Sequence, residues 1–167
     1  MNKPPPPLIS IRKAQPQDVI QLLRIQADAL RTLCSQDYAP EQIEALINRN
    51  IRYASRGGSQ RETTLVAEVK GMRVGLATLL GSHVSALYVH PHYARQGIGS
   101  RLLKALEKIA VNHKVKALGV AASLTARPFY QANGYQVLGT SYITTELGLR
   151  IQYIEMRKHL RSTSEAL

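Results

Sequence analysis

The stretch LYVHPHYARQGIGSRLLKAL, residues 87–106, decides which fold and function the sequence predicts. It begins with a strand pattern, turns at Pro91 and passes Gly97 and Gly99 into a helical pattern. The start of a helix exposes unpaired N–H groups and the positive end of the helix dipole, and both attract anions. Glycine lets an anion approach the backbone closely. The pattern therefore favours phosphate binding, although glycine-rich helix starts also occur where a helix only packs tightly on a strand.

The spacing of these glycines excludes two common phosphate-binding loops. The stretch does not contain GxxxxGK[ST], the pattern of a P-loop. It also differs from the GxGxxG that follows the first strand of a dinucleotide-binding fold. Arg95 and Arg101 would add positive charge at the same place.

The residues before this stretch predict a strand, two helices and a hairpin. Residues 8–14 have the pattern of a first strand, and residues 16–33 have helical spacing. A second helix is predicted from Pro40 to about Asn50. Two strands then flank a turn at Lys70 and Gly71.

The residues after it predict one long helix, a strand, a short helix and two strands. The long helix has one apolar stripe, formed by Ile98, Leu102, Leu103, Leu106, Ile109 and Ala110. Residues 115–123 predict a fully buried central strand. A short helix ends at Asn133 and Gly134, and two strands flank Gly148. The order predicts a mixed α/β fold with a strand–helix–strand unit in its middle.

Composition limits the class of protein. Hydrophobic residues are 44% and charged residues 20% of the 167 residues, as in an ordinary globular protein. We expect a single domain at 9–160, a proline-rich flexible leader at 1–8 and a flexible tail at 161–167. The single cysteine, Cys34, forms no intramolecular disulfide, and no metal-ligand spacing is present. Neither a signal peptide nor a membrane span is predicted, so we expect a cytoplasmic protein.

The net charge of +11 has three interpretations. It can serve solubility alone, attract a small polyanionic ligand such as a nucleotide cofactor, or attract nucleic acid. The basic residues are scattered, and the chain has one Phe and no Trp for base stacking. These two observations argue against nucleic acid.

Two motifs in register resemble the GCN5-related N-acetyltransferases (GNAT). LYVHPHYARQGIGSRLL resembles their acetyl-CoA signature, and ASLTARPFYQANGY resembles a second signature that ends a short helix with a Gly–aromatic pair. SQDYAPEQIEAL also resembles the substrate-side helix of a bacterial subgroup. The resemblance implies the GNAT fold: a mixed central sheet of about seven strands with a splayed acetyl-CoA cleft, and about four helices.

The resemblance also implies how acetyl-CoA is held. Backbone groups of one strand would pair with the pantetheine arm and polarise the thioester carbonyl; they belong to Leu87, Tyr88 and Val89. The following loop and helix start would wrap the pyrophosphate with Arg95, Gln96, Gly97, Ile98, Gly99 and Ser100. Ser123 would contact the pantetheine, and Tyr130 would protonate the departing thiolate as the catalytic acid.

The sequence departs from the family pattern at one place and leaves one role open. Where the family has Gln or Arg followed by Gly, this chain has Ala94 and Arg95, so Arg95 or Gln96 would replace the missing contact. An amine of pKa about 10.4 is only about one part in a few thousand neutral at pH 7, so a proton acceptor is needed. The candidates are His83, His90, His92, Glu68 and Glu155, and the sequence selects none of them.

The function that follows is an acetyl-CoA-dependent N-acetyltransferase. It would transfer an acetyl group to a primary amine by direct attack in a ternary complex, with no covalent role for Cys34. The alternative is a non-catalytic module of the same fold that binds acyl-CoA or nucleic acid. The sequence identifies neither the small-molecule or peptide acceptor nor the oligomeric state, and it leaves a homodimer open.

Overall fold

The computed structural model describes residues 8–161, so most of the predicted leader and tail lie outside the described residues. The strands in this part of the chain are β1 Ile9–Lys13, β2 Glu62–Val69, β3 Met72–Leu80, β4 His83–Val89, β5 Ala117–Ala122, β6 Gln136–Thr144 and β7 Arg150–His159. The α-helices are α1 Val19–Leu33, α2 Pro40–Ser55, α3 Ile98–Asn112 and α4 Arg127–Ala132. Short 3₁₀ turns span Pro16–Asp18 and Pro91–Tyr93.

The strands form one mixed sheet in the order β1-β2-β3-β4-β5-β7-β6. All neighbours are antiparallel except β4 and β5, which α3 connects as a parallel pair. The predicted α/β class, with about seven strands and four helices, is confirmed. No helix within residues 8–161 is long and apolar enough to cross a bilayer.

The parallel pair is very short. In the described part of the chain, β4 and β5 have two register pairs, His83 with Gly119 and Val84 with Val120. The next residue of β4, Ser85, is an extra residue in the pairing with β3, which is a β-bulge. A bulge bends its strand and increases the local twist. β4 therefore leaves β5 directly after the second pair, and a gap opens between the carboxyl ends of the two strands.

Helices cover both faces of the sheet. The apolar stripe of α3 packs on one face with residues from β2 to β5 and from β7. The other face is covered by α1 and α2: α1 packs mainly on β3 and β4, and α2 packs beside residues of β6 and β7. The cluster that α1 and α2 share contains Leu30, Cys34, Tyr38, Ile43, Ile47 and Ile151, and Tyr88 packs against it.

Two details differ from the predictions made from the sequence. The helix expected to end near Asn50 continues to Ser55 and stops before Gly57 and Gly58, both of which have positive φ. The strand expected to be fully buried alternates instead, and Ala121 is exposed. Its apolar residues on one face pack under α3, whereas no helix covers Ala121 on the other face. The alanines and the glycine of β5 gave its sequence an apolar pattern, although the strand is not buried on both faces.

A buried carboxylate anchors the start of α1 to the sheet. The Asp18 side chain is fully buried and accepts hydrogen bonds from Arg12 at 2.8 Å and from the Gln15 N–H at 2.7 Å. Arg73 on β3 binds the same carboxylate, and Arg12 also reaches Glu68 at 2.6 Å. The hydrogen bond from Arg12 holds the pKa of Asp18 well below its usual range. The network fixes α1 across the ends of β1 and β3.

We expect Asp18→Asn to lower the free energy of unfolding by about 2–4 kcal/mol, because it removes the buried charge that two guanidinium groups share. Urea denaturation at pH 7 measures this loss. Because the pKa of Asp18 is lowered on folding, the stabilisation is fully present above about pH 5 and is lost as the pH falls through and below about 4. The difference between wild type and variant should therefore shrink in acid.

Glu44→Gln is the matched control, since it breaks an exposed pair with Arg31 of 2.8 Å. We expect that change to cost less than about 1 kcal/mol. Equal losses in the free energy of unfolding from the two variants would show that the buried network stabilises the fold no more than an exposed ion pair does.

Candidate active site

The gap between β4 and β5 exposes backbone donors of β4. The His90 N–H donates to the Val74 carbonyl of β3 at 2.8 Å. In an antiparallel ladder alternate residues point their N–H groups to the same side, so the Tyr88 N–H also faces β3. The N–H groups of Leu87 and Val89 therefore point toward β5, where no register pair is formed. Of the three residues predicted to use backbone groups, Leu87 and Val89 thus point their N–H groups into the gap, whereas the Tyr88 N–H faces β3.

The start of α3 lies at the end of this gap and lacks a side-chain cap. Gly97 is the N-cap residue, with a left-handed φ of 81°, and it makes no capping hydrogen bond. The Arg101 N–H is bonded to the Gly97 carbonyl at 3.1 Å. The preceding N–H groups of Ile98, Gly99 and Ser100 consequently have no partner within the helix. This arrangement suits an anion.

Arg95 has an unusual backbone conformation for its side chain. Its φ is 62°, in the left-handed region that favours glycine. This is the position at which the family resemblance leads one to expect glycine after Ala94. With Gly97 it places two left-handed residues in one three-residue stretch, a geometry that can turn successive N–H groups toward an anion. The neighbouring Gln96 side chain contacts the His92 carbonyl at 3.4 Å.

Gly99 has a packing role as well as a place at the helix start. A Cβ atom added there would lie 3.2 Å from the Phe129 ring and 3.6 Å from Leu87. A Cβ at Gly97 would meet nothing within 4 Å. The open approach predicted at both glycines thus exists at Gly97, whereas at Gly99 the space holds an aromatic ring. The Asn133 amide, which donates to the Ser100 hydroxyl at 3.3 Å, also links α4 to α3.

Tyr130 lies in the core beneath the gap. It is 4% exposed, and its ring meets Phe129 and Tyr135 edge to face at 5.1 and 5.3 Å. Burial raises the pKa of Tyr130, and nearby Tyr88 raises it further. The hydroxyl therefore stays protonated at neutral pH, the state that a proton donor requires. Phe129, the more exposed of the two rings, is the one that contacts the helix start.

Ser123 and Tyr38 hold the loop that leads from β5 into α4. The Ser123 hydroxyl accepts a hydrogen bond from the Ala126 N–H at 3.0 Å. The Tyr38 hydroxyl donates to the Gln152 carbonyl at 2.7 Å and accepts from the Leu124 N–H at 2.8 Å. Ser123 thus has a structural task beside the pantetheine contact predicted for it. Sequence reasoning missed Tyr38, although its motif was singled out.

The candidate proton acceptors divide by position. His83 lies at the closed end of β4 with its ring over Gly119, six residues and thus about 20 Å from Val89. Glu68 is engaged with Arg12. His90, directly after Val89, accepts a hydrogen bond from the His92 N–H at Nδ1, and its Nε2 lies 3.9 Å from Asp28. Two of the five candidates, His83 and Glu68, are therefore remote or engaged elsewhere.

Other chemistry finds little support nearby. Cys34 is buried at the end of α1, and burial raises the pKa of its thiol, which disfavours the thiolate. Within residues 8–161, no group of three or more His, Cys, Asp and Glu side chains is placed to hold a metal ion. A groove of about 450 Å³ beside α1 is lined by residues that include Arg24, Asp28 and Arg73, and it lies outside the gap between the strands.

Comparison with known proteins gives a consistent result. The profile of the acetyltransferase (GNAT) domain matches residues 34–160. The uncharacterized N-acetyltransferase YafP of Escherichia coli K12 is 34% identical over 132 residues, which cover 78% of this chain and 83% of YafP.

Solved structures show the same likeness. A GCN5-related N-acetyltransferase from Rhodopseudomonas palustris superimposes with a TM-score of 0.84 and 31% identity, over 90% of this chain and 95% of that one. The PaiA N-acetyltransferase of Thermoplasma acidophilum, solved with coenzyme A, has a TM-score of 0.68 and 21% identity over 91% and 99% of the two chains. The second likeness concerns the fold alone.

Two substitutions of Arg95 separate its backbone role from its charge. Arg95→Gly and Arg95→Ala both remove the guanidinium group, and we expect each to weaken binding of acetyl-CoA by about 10-fold or more. Only glycine relieves the left-handed backbone, so the Gly variant should be about 1 kcal/mol more stable than the Ala variant. Calorimetric titration and urea denaturation measure the two effects.

Arg24→Ala, on α1, changes the net charge equally and serves as the control. An affinity that stays unchanged in both Arg95 variants would show that this side chain does not contact the cofactor. An Ala variant at least as stable as the Gly variant would contradict the strained backbone.

Proposed function

The chain belongs to the GNAT family of acetyltransferases, and from this premise we propose that it transfers the acetyl group of acetyl-CoA directly to a primary amine. The observation that carries the proposal is the gap between β4 and β5. Backbone N–H groups of Leu87 and Val89 face it, and the uncapped start of α3 lies at its end. Backbone amide donors along the gap, followed by an anion site at its end, suit a ligand that has an amide-bearing arm and a pyrophosphate.

Two further observations support acetyl-CoA as the donor. PaiA of Thermoplasma acidophilum, which shares the fold, was solved in complex with coenzyme A. The left-handed backbone at Arg95 and Gly97 leaves the helix start accessible, and the Arg95 side chain brings a positive charge to it. Gln96, Ile98, Gly99 and Ser100 complete the proposed cradle, to which Ser123 would add a contact with the pantetheine.

The reaction needs no covalent enzyme intermediate. The amine nitrogen forms a bond with the acetyl carbon, the carbon–sulfur bond breaks, and one amine proton is exchanged for the proton that the thiolate gains. The Val89 N–H points into the gap and would stabilise the negative charge that develops on the carbonyl oxygen. Holding both reactants in the gap supplies much of the rate by removing the entropy cost of their encounter.

Tyr130 would supply the proton to the leaving group. A thiol of this kind has a pKa of about 8.5, so its thiolate gains a proton at neutral pH. Burial raises the pKa of Tyr130, which keeps the donor protonated over the whole neutral range. The proton that the amine releases returns to Tyr130, directly or through water, so the tyrosine is again protonated after each turnover.

Acetyl-CoA binding tests the proposal most directly. We expect acetyl-CoA at about 100 times its dissociation constant to add about 2.7 kcal/mol to the free energy of unfolding. ATP at the same concentration is the control, because a chain of net charge +11 attracts any polyanion. Raising the salt should remove the ATP effect first. Equal stabilisation by both ligands at every salt concentration, or none by acetyl-CoA, contradicts the proposal.

Tyr130→Phe tests the proposed acid, because it keeps the ring and removes the hydroxyl. Where chemistry limits the rate, we expect turnover to fall by roughly 10²–10⁴-fold with acetyl-CoA affinity little changed. Release of free CoA thiol and calorimetric titration measure the two quantities.

Tyr135→Phe is the matched control. Tyr135 is 2% exposed, and its hydroxyl has no hydrogen-bond partner within the described residues. Its removal should leave turnover nearly unchanged. If Tyr130→Phe changes turnover no more than this control does, Tyr130 is not the acid.

A further inference from the structure

The face of β4 that carries Tyr88 is turned away from α3 and toward α1 and α2. Side chains alternate along a strand, so Leu87 and Val89 pack with α3 whereas Tyr88 packs against the cluster beneath α2. An acceptor that reaches the carbonyl group from the α2 side of β4 therefore passes the Tyr88 side chain. The residues around that side chain bear on which amines are accepted.

The part of α2 beside Tyr88 is polar. Ile43 and Ile47 face the cluster, and Asn50 lies on the same helix face one turn farther and is half-buried. Burial raises the pKa of Tyr88, and both a hydrogen bond with Asn50 and the charge of Arg49 oppose that rise. Because Tyr88 packs against the cluster that contains Ile47, Asn50 lies on the helix face that continues past Tyr88, and Arg49 lies beside it in the sequence.

Arg49 has no carboxylate partner, unlike two other arginines of this region. On the same helix, Arg52 binds Glu146 at 2.9 Å, and on α1 Arg31 binds Glu44 at 2.8 Å. Within residues 8–161, no acidic side chain forms an ion pair with Arg49, which is exposed. It stands one turn beyond Ala45 and Leu46, which pack on the cluster, so its guanidinium lies at the rim of this face.

We propose that Arg49, with Asn50 beside it, binds an anionic group of the acceptor, so that the preferred substrates are primary amines that also carry a carboxylate or a phosphate. The inference rests on the proposed acetyl transfer. A guanidinium group binds either anion through paired hydrogen bonds, and the Asn50 amide adds a donor. A second amine on the acceptor is repelled by the same charge.

A panel of amines of similar length tests the inference: 5-aminopentanoate, 3-aminopropyl phosphate, pentylamine and 1,5-diaminopentane, with thiol release as the readout. For wild type we expect kcat/KM for the two anionic amines to exceed that for pentylamine by about 10-fold or more, and the diamine to be poorest. The ratio of the two anionic amines tells a carboxylate preference from a phosphate preference.

Arg49→Ala should remove the advantage of the anionic amines, mainly through KM, and leave pentylamine unchanged. Arg49→Lys should restore part of it, because the charge returns without the planar fork. Arg56→Ala is the matched control: this exposed arginine lies seven residues, about 10 Å, farther along the helix direction. It should affect all the amines alike and only slightly.

Failure of this inference and failure of the proposed function give different results. If wild type binds acetyl-CoA in calorimetry but uses charged and neutral amines equally, or does not acetylate the anionic amines at millimolar concentration, the inference is wrong and the proposed function stands. An equal loss for all amines in Arg49→Ala also overturns it. If wild type does not bind acetyl-CoA, the proposed function itself fails, and the inference fails with it.

Discussion

Within residues 8–161, the strand pairing that joins the two arms of the sheet consists of two residue pairs, and the candidate site depends on that short junction. His83 and Val84 pair with β5, and the bulge at Ser85 then turns β4 away. If the pairing of β4 with β5 continued, the Leu87 and Val89 N–H groups would donate hydrogen bonds to carbonyl groups of β5. Unpaired strand groups are costly unless water or a ligand satisfies them. On the proposed function, the amides of the pantetheine arm pair with β4 where a neighbouring strand is missing.

A sheet that opens at one end needs another connection there, and α1 and α2 provide it. The Tyr38 hydroxyl joins the loop between these helices to β7 and to the loop after β5. On α2, Gln42 donates to the Arg150 carbonyl at 2.9 Å, and Arg52 pairs with Glu146. These contacts fix the width of the gap from outside the sheet. The network around the buried Asp18 fixes the other end of α1 to the sheet. The helices on the face opposite α3 are therefore held at both ends.

Periodicity and turn chemistry predicted most of the fold. The Lys70–Gly71 turn, the stripe of α3 and the short helix ending at Asn133 all have local signals, and each lies where it was expected. The α2 boundary was missed because no breaker follows Asn50 until Gly57. The alternation of β5 was missed because alanine and glycine are apolar whether buried or exposed. The gap itself depends on pairing between distant strands, and no single segment encodes that.

The site was predicted less completely, because two of its features are visible only in three dimensions. The sequence marked Arg95 as a departure from the family pattern, but its left-handed φ depends on the path of the whole loop. The helix α2 contains two arginines, Arg49 and Arg52, and the sequence does not tell which of them lies nearer to Tyr88. Only the fold shows that Arg49 and Asn50 follow the residues of α2 that pack in the same cluster as Tyr88.

Burial beside Tyr88 also bears on the proton that the acceptor must lose. The strand at the gap carries no carboxylate, and His83 and Glu68 are remote or engaged. Burial beside Tyr88 destabilises a protonated amine, because the charged form loses its hydration, and this lowers the pKa of the amine. Each unit of lowering raises the neutral fraction about tenfold at neutral pH. An anionic group on the acceptor would hold the molecule at Arg49 while its amine loses a proton to water. Binding at one end of the acceptor and burial at the other then make the transfer depend less on a dedicated base.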